Sequence, residues 1–571
     1  MLKRTLLLLS SSLIIACSPT PAKDTNTAEH NSTRATPGQA AIASAHPLAT
    51  QAGMDILAQG GNAFDAAIAV AASLGVVEPY SAGIGGGGFW LVYQADKQKY
   101  SFIDAREMAP AAAHRDYYLD SSGAVDRDKA VNGPTAAGIP GQAAAFAHLA
   151  EHYGKLPLQQ SLQAAIQQAN EGFAVYPHYR KLMNYRLDAV RRYPQSRATF
   201  LDNGEIPAEG FIIRQPELAT TLQALADHGF DGFYRGKVAN RMIKAIQADG
   251  GEWTLRDLEN YHVTEREPII SRYGPFEVIS APPPSSGGIA IAQMFNMLRQ
   301  PGLPRWQNLN HTDQAHLLTE VMRRAYKDRA EFLGDPDFVD VPIRELLSEQ
   351  RAQHWASSIN MQQATPSLSL NGPKNLQEGF HTTHLSVIDR QGNMVSATLS
   401  INLPFGSAYT VPGTGILLNN EMDDFSAKPG EANAYGLVGN AANAIAPGKR
   451  PLSSMTPSIV NTTNSSAIIG TPGGSRIISM VLLGMLEHMQ GKEVESWVTR
   501  PRFHHQYLPD VIQHEPDTFS QAEQQALRAR GHQLKNVGRH YGNMQVILWD
   551  KDSGEVSAAS DPRGLGQSQV H

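Results

Sequence analysis

The chain has 571 residues, more than one ordinary domain needs; 42% are hydrophobic and 18% charged, enough for a sizeable core in two domains or two interleaved halves. Its formal net charge is −6 and it carries no Lys/Arg-rich block, so nucleic acid finds no electrostatic footing on it. The single cysteine, Cys17, excludes an intramolecular disulfide.

Residues 1–17 (MLKRTLLLLSSSLIIAC) join a positive start at Lys3 and Arg4 to a short apolar run, Leu6 to Ile15, and a small residue, Ala16. This is the pattern of an export signal, too short to remain as a membrane-spanning helix. Ile14-Ile15-Ala16-Cys17 resembles the lipobox of bacterial lipoproteins, in which the cysteine is acylated and becomes the new N-terminus. A plain signal peptide with a chance cysteine is the alternative. The anchored reading predicts lipidation at Cys17 and a periplasmic location, and Ser18 resembles the residue that sends lipoproteins to the outer membrane. Residues 18–40, rich in Pro, Thr, Asn and Ser, read as a flexible tether.

From Ala41 the pattern is globular. Thr50 to Gln59 and Ala63 to Leu74 have helical spacing and Ala-rich propensity. Phe89 to Tyr93 and Tyr100 to Asp104 alternate as strands. Helical segments dominate about 135–330, among them Gly141 to His152 and Thr312 to Phe332. The polar stretch Gln362 to Gly379, with Pro366, Gly372 and Pro373, reads as an exposed linker. Beyond it the texture changes to short strands and Gly-rich turns. Thr382 to Ile388 and Met394 to Asn402 alternate around a turn at 390–393. If Asp389 pairs with Met394, Thr382 lies opposite Ile401, with Ser400 and Asn402 beside it across the hairpin.

Gly83 to Gly88 satisfies G-x-G-x-x-G, but a helix precedes it and a strand follows, the reverse of the dinucleotide arrangement; it reads as a tight backbone turn. Thr471-Pro472-Gly473-Gly474-Ser475 lies between a strand, Ala467 to Ile469, and an apolar helix, Arg476 to Met489. It is either a plain strand-to-helix turn or a place where backbone N–H groups meet an anion, such as the oxyanion of acyl transfer. His311/His316 and His504-His505 lack the spacing of a zinc-protease helix, so no metal site is expected. No G-x-S-x-G elbow is present. Asn419 to Asp424 is a solvated acidic turn or a grip for a substrate ammonium, and Arg450 to Ser454 a loop or hydroxyls for a carboxylate. Jointly these are the parts of a pocket for a zwitterionic amino acid.

Thr382-Thr383-His384, Gly415 to Phe425, Arg450 to Met455 and Pro472 to Arg476 resemble the γ-glutamyltransferase (γ-glutamyltranspeptidase) family, as do Gly60 to Ala67, Gly83 to Gly88 and Asp104 to Pro110. The resemblance runs from about residue 40 to 565 in the family's order. It implies an α+β, N-terminal-nucleophile hydrolase fold: a four-layer αββα sandwich built from two interleaved subunits. The precursor would cleave itself between His381 and Thr382 into a large subunit, 41–381, and a catalytic small subunit, 382–571, which stay together as a heterodimer. Thr382 becomes the nucleophile, its freed α-amino group the base, and Ser400 a hydroxyl beside that amine, where Thr is more usual in the family. Gly473 and Gly474 are implied as oxyanion donors. Arg106, Ser453 and Ser454 are implied for the substrate α-carboxylate, Asn402, Glu421 and Asp424 for its α-ammonium, and Tyr435 for a lid. Expected substrates are glutathione and other γ-glutamyl compounds, with water, amino acids or peptides as acceptors and no cofactor. A cephalosporin or glutaryl acylase shares fold and nucleophile; its substrates lack the ammonium, so Glu421 with Asp424 favours the glutamyl reading. An uncleaved, inactive lipoprotein acting as a binding module is the rival of another class.

Overall fold

A computed structural model describes residues 36–370, 382–428 and 441–571. Cys17, His381 and Tyr435 lie outside the described residues. No helix among the described residues is long and apolar enough to cross a membrane.

Two antiparallel sheets are built from β1 (Ala41–Ser44), β2 (Gly87–Gln94), β3 (Lys99–Ala105), β4 (Thr264–Arg266), β5 (Ile269–Tyr273), β6 (Phe276–Ser280), β7 (Thr383–Ile388), β8 (Met394–Ser400), β9 (Ser458–Asn461), β10 (Ser465–Gly470), β11 (Gln545–Asp550), β12 (Val556–Ser560) and β13 (Gln567–Val570). One runs β13-β1-β7-β8-β2-β3-β4 and the other β12-β11-β10-β9-β6-β5. The sheets face each other, β7 and β8 meeting β10 and β11.

Strand alternation sorts the side chains of the first sheet. Trp90, Val92, Leu385, Val387 and Leu399 point to one core, beneath α1 (Pro47–Ala58), α2 (Ala63–Val77), α3 (Gln142–His152) and α4 (Leu158–Glu171). Phe89, Leu91 and Ile388 point the other way, into a core shared with the second sheet and with α5 (Gly287–Leu298), α6 (His311–Phe332) and α7 (Ile477–Met489). The result is the expected α+β, helix-sheet-sheet-helix stack. α2 is buried along nearly its whole length, which its all-round apolar sequence anticipates. Its start is fixed by a capping box, Asn62 with Asp65, of the kind that contributes about 1 kcal/mol.

Helices dominate about 135–330 as expected, with strands β4 to β6 among them; Ile269–Tyr273 and Phe276–Ser280 form a hairpin around the Gly274 turn, and β4 and β5 feed different sheets. Three local expectations need correction. The tether ends earlier than residue 40, because Gly38 and Ala40 are hydrogen-bonded to Gly554 and His571. The start of the linker is exposed at Gln362, Gln363, Pro366, Leu368 and Ser369 but tied down between them: Ala364 N–H donates to Arg530 O, and Ser367 is buried with its N–H on Asp510. In the hairpin after residue 381 the register differs by one. Asp389 N–H donates to the carbonyl of Asn393, and the Asp389 carboxylate caps the loop on the N–H groups of Gln391 and Asn393. Met394 therefore pairs with Ile388 and Leu399 with Thr383, and continuing that register puts Thr382 opposite Ser400.

Candidate active site

Thr382 stands immediately before β7, in the middle of the first sheet, and is 6% exposed. Its neighbours are held from several directions. Thr383 pairs with Leu399 in the ladder and donates its hydroxyl to the Glu78 carboxylate at 2.9 Å. His384 is buried between the sheets, 2.8 Å from Thr398 Oγ1, and burial pushes its pKa down to about 3, so it carries no charge. Ser400, at the end of β8, accepts the Asn402 N–H at 2.8 Å. Asn402 adopts a positive φ of 72° and donates its amide to Asn420 O at 2.8 Å.

The glycine-rich turn is structural, and its purpose is visible. A Cβ on Gly85 would lie 2.0 Å from Leu417 O, so only glycine lets the turn press against the strand that leads into the acidic segment. Asn419 Nδ2 donates to Gly85 O and Gly138 O, both at 2.8 Å, and Asn419 Oδ1 receives the Glu421 N–H. Glu421–Asp424 is thereby fixed as a buried 3-10 turn, not a solvated loop.

Arg106 lies just past β3 and is 1% exposed. Its Nη1 is 2.7 Å from Glu421 Oε2 and 3.5 Å from Glu107 Oε2, its Nη2 is 2.5 Å from Asp424 Oδ2, and its Nε donates to Pro451 O at 3.2 Å. Burial opposes the charged guanidinium, but Glu421, Glu107 and Asp424 together hold it above its ordinary range. Burial also pushes the Glu421 carboxyl well up, against the pull of Arg106, and Glu107 up to about 7. Glu421 Oε1 and Ser454 Oγ are buried with no hydrogen-bond partner among the described residues. Ser453 is anchored by its N–H on Pro284 O and by its carbonyl, which accepts from Ser286.

Gly473 and Gly474 sit at φ 144° and 58°, between β10 and a 3-10 turn, Gly474–Arg476, that leads into α7. The helix thus starts at Ile477, one residue later than the apolar pattern suggests. Arg106, Thr382, Ser400, Asp424, Ser453, Ser454 and Gly474 line one small cavity. A second, larger one opens on Thr382 and Gly473 from the side of Glu78, Lys181 and Arg539. Thr382 is thus in the wall of both.

The chain matches the γ-glutamyltranspeptidase family over residues 49–570. It is 41% identical to the glutathione hydrolase proenzyme of Escherichia coli, across 92% of this chain and 91% of that one. The chain belongs to the γ-glutamyltranspeptidase family. It is similarly 40% identical to the glutathione hydrolase proenzyme of Pseudomonas aeruginosa, covering 93% and 94% of the two chains. The crystal structure of a cephalosporin acylase from Bacillus halodurans matches with a TM-score of 0.82 at 28% identity, covering 98% and 99%. The fold is that of the N-terminal-nucleophile hydrolases to which these proteins belong.

The candidate residues Thr382, Ser400, Arg106, Asp424, Ser453, Ser454 and Gly474 share the smaller cavity; Asn402 and Glu421 contact its walls, and Gly473 faces the larger one. Three residues were missed. Glu107 adjoins Arg106 and touches it; Glu78 touches Thr383; Arg329 of α6 lines the smaller cavity. Glu107 lies inside the Asp104 to Pro110 motif and Glu78 shortly before Gly83 to Gly88, but Arg329 gives no local signal. Of the histidines, His311 meets Glu523 at 2.8 Å, and His504 meets Ser479 and Gln506. His316 and His532 form a buried group with Glu320 that has the size of a metal site. Glu320 there is already shared by Arg323, Arg324 and the Thr365 N–H, and His316 Nδ1 is 2.7 Å from His532 Nε2, so the group is closed on itself.

Proposed function

We propose that the protein cleaves its own chain between His381 and Thr382 and then transfers γ-glutamyl groups, from glutathione and related compounds, to water, amino acids or peptides. The observation that carries this reading is the placement of Thr382 at the head of a central strand, in a cavity whose far wall holds buried Arg106 between Glu421 and Asp424.

A threonine hydroxyl is a poor nucleophile unless a base is adjacent, and cleavage before Thr382 frees an α-amino group with a reference pKa of about 7.7–8.0 to serve. The amine takes the hydroxyl proton as Oγ1 attacks the γ-carbonyl. The tetrahedral oxyanion is met by the N–H groups of Gly473 and Gly474, for which no described residue is an acceptor. Collapse passes the proton to the leaving amine and leaves a γ-glutamyl ester on Thr382. Water or an acceptor amine then repeats the sequence in reverse roles. Ser400, opposite Thr382 in the register, lies where it can orient the amine.

Recognition of the glutamyl end follows from charge. A buried carboxyl whose ionisation is suppressed, Glu421, becomes favourable as an anion once a cationic ammonium enters beside it. Ser454 Oγ, without a partner, is available to the α-carboxylate. This arrangement favours glutamyl over glutaryl donors, although the fold is shared with a cephalosporin acylase. Acid-quenching the enzyme with a γ-glutamyl anilide and mapping the small subunit tests the chemistry. A γ-glutamyl adduct on Thr382 is expected; an adduct on another residue, or none with turnover intact, removes the proposal.

The same reading places the protein outside the cytoplasm, tethered by a lipid on Cys17, which rests on the signal-like pattern of residues 1–17. Cys17→Ser is expected to leave the membrane fraction with activity unchanged. Persistent membrane association of that variant defeats the anchor.

A further inference from the structure

Thr382 lies in the wall of two cavities, and the two oxyanion glycines divide between them: Gly474 lines the smaller cavity and Gly473 the larger. A carbonyl carbon bonded to Thr382 Oγ1, with its oxygen on those two N–H groups, sends its two remaining substituents apart. The glutamyl chain takes the smaller cavity, toward Arg106 and Asp424. The nitrogen that leaves, or the one that arrives, therefore stands at the mouth of the larger cavity.

That cavity has firm walls and an excess of cations. One wall is a face of the helix Pro177–Arg192, where His178, Lys181 and Leu182 follow at helical spacing. The other is the loop 539–543, which precedes β11. The loop is tied down: Tyr541 N–H donates to Glu515 Oε1 at 2.8 Å, and Tyr541 O accepts from Arg502. Asn543 N–H donates to Thr471 Oγ1 at 3.2 Å, which joins the loop to the oxyanion turn. Among the described residues Glu78 is the only carboxyl in the lining; Tyr80 and Thr383 donate to it, and burial raises it to about 7. Arg563 is occupied by Glu515 and Asp561. His178 is uncharged, since burial and the neighbouring Lys181 lower its pKa to about 4. Lys181 is exposed and forms no ion pair among the described residues, and Arg539 is half-buried across the cavity mouth's lining. Cations gathered in a cleft with few anions draw in negative ligands. We propose that the larger cavity seats the amine partner of the reaction, and that Lys181 and Arg539 select partners carrying a carboxylate beyond the amine, as an amino acid or the C-terminus of a short peptide does. In transfer, the amine attacks the ester carbonyl, the C–N bond forms, the bond to Thr382 Oγ1 breaks, and the amine proton passes through the freed α-amino group to Oγ1. Water makes no use of either cation, so the pair sets the balance between transfer and hydrolysis.

This inference rests on the γ-glutamyl reading of the site, and the test separates the two. One donor, a γ-glutamyl anilide, is offered with glycylglycine or with glycylglycinamide, acceptors that share the attacking amine and differ in the carboxylate. Glutamate and the transfer product are measured together, so that hydrolysis is the internal reference. Wild type is expected to transfer preferentially to glycylglycine. In the double variant Lys181→Gln, Arg539→Gln the transfer-to-hydrolysis ratio for glycylglycine is expected to fall about 5- to 50-fold, through the acceptor KM, and that for glycylglycinamide to move less than about threefold. Two-chain maturation is checked on every sample. Lys181→Glu, a change at an exposed position, is expected to lower the glycylglycine ratio in the same direction and is decisive should the double variant fail to mature. Equal transfer to both acceptors by wild type, or a ratio that falls alike for both in a matured variant, overturns the inference while anilide hydrolysis leaves the γ-glutamyl reading standing. If wild type does not consume the anilide at all, that reading itself is at fault.

Discussion

Asp424 and Glu421 face the same guanidinium, yet their environments differ: the Asp424 side chain is 12% exposed and that of Glu421 1%. Asp424 is therefore the carboxylate that can change partners most readily, from Arg106 to an incoming ammonium. Charge-assisted hydrogen bonds of this kind contribute about 1.5–3 kcal/mol. Asp424→Asn is expected to cut kcat/KM for a γ-glutamyl anilide roughly ten- to a hundredfold and to leave a glutaryl anilide unchanged or improved. Parallel loss on both substrates, with self-cleavage normal, contradicts the assignment. The individual residues were unevenly legible. Thr382, Arg106, Glu421 and Asp424 lie in motifs whose conjunction resembles one family, so each was visible. Their pairing with one another was not, because residues about 280–320 positions apart meet only through the fold. Arg329 sits in a helix so rich in Arg, Lys and Asp that it resembles a solvated face, whereas Ala315 to Ala330 are all buried.

At the level of elements, the informative junction is between the end of α2 and the start of β7. Cleavage before Thr382 would make that residue a chain end, and chain ends fray unless held. The Thr383 hydroxyl on Glu78, which also accepts from Tyr80 at 2.9 Å, holds the strand from the helix side. Burial raises the Glu78 carboxyl from 4.5 to about 7, against the hydrogen bonds from Tyr80 and Thr383. A raised folded-state pKa means the native state binds the extra proton. Its contribution to stability is present below the unfolded value near 4.5 and is lost as pH rises through 7. Glu78→Gln keeps the shape without that loss. Relative to wild type it is expected to gain up to about 3 kcal/mol between pH 5 and pH 8, seen as a Tm difference that opens with pH. A difference that is flat across this range, or that reverses, contradicts the protonated, buried carboxyl. The strands at this junction were legible from their alternation. The register was not, since one residue of slip depends on whether Asp389 opens the loop or closes the ladder, and its side chain decides.

For the whole molecule, the two proposed subunits are not separate domains. The first sheet takes β1 to β4 from one side of residue 381 and β7, β8 and β13 from the other, and the second sheet is likewise mixed. Residues 36–571 form a single compact unit. A chain cut at one loop would stay assembled, because each half lacks the neighbours of its own strands. Sequence texture suggested two halves, and only the order of the strands reveals that they interleave. The self-cleavage on which the whole account depends is measured most directly by denaturing mass analysis of purified wild type and Thr382→Ala. Wild type is expected to give two chains, the smaller beginning at Thr382 with 190 residues (571 − 382 + 1), and Thr382→Ala a single uncut chain. A wild-type protein that stays whole while turning over γ-glutamyl donors, or an alanine variant that still divides at 381/382, would contradict it.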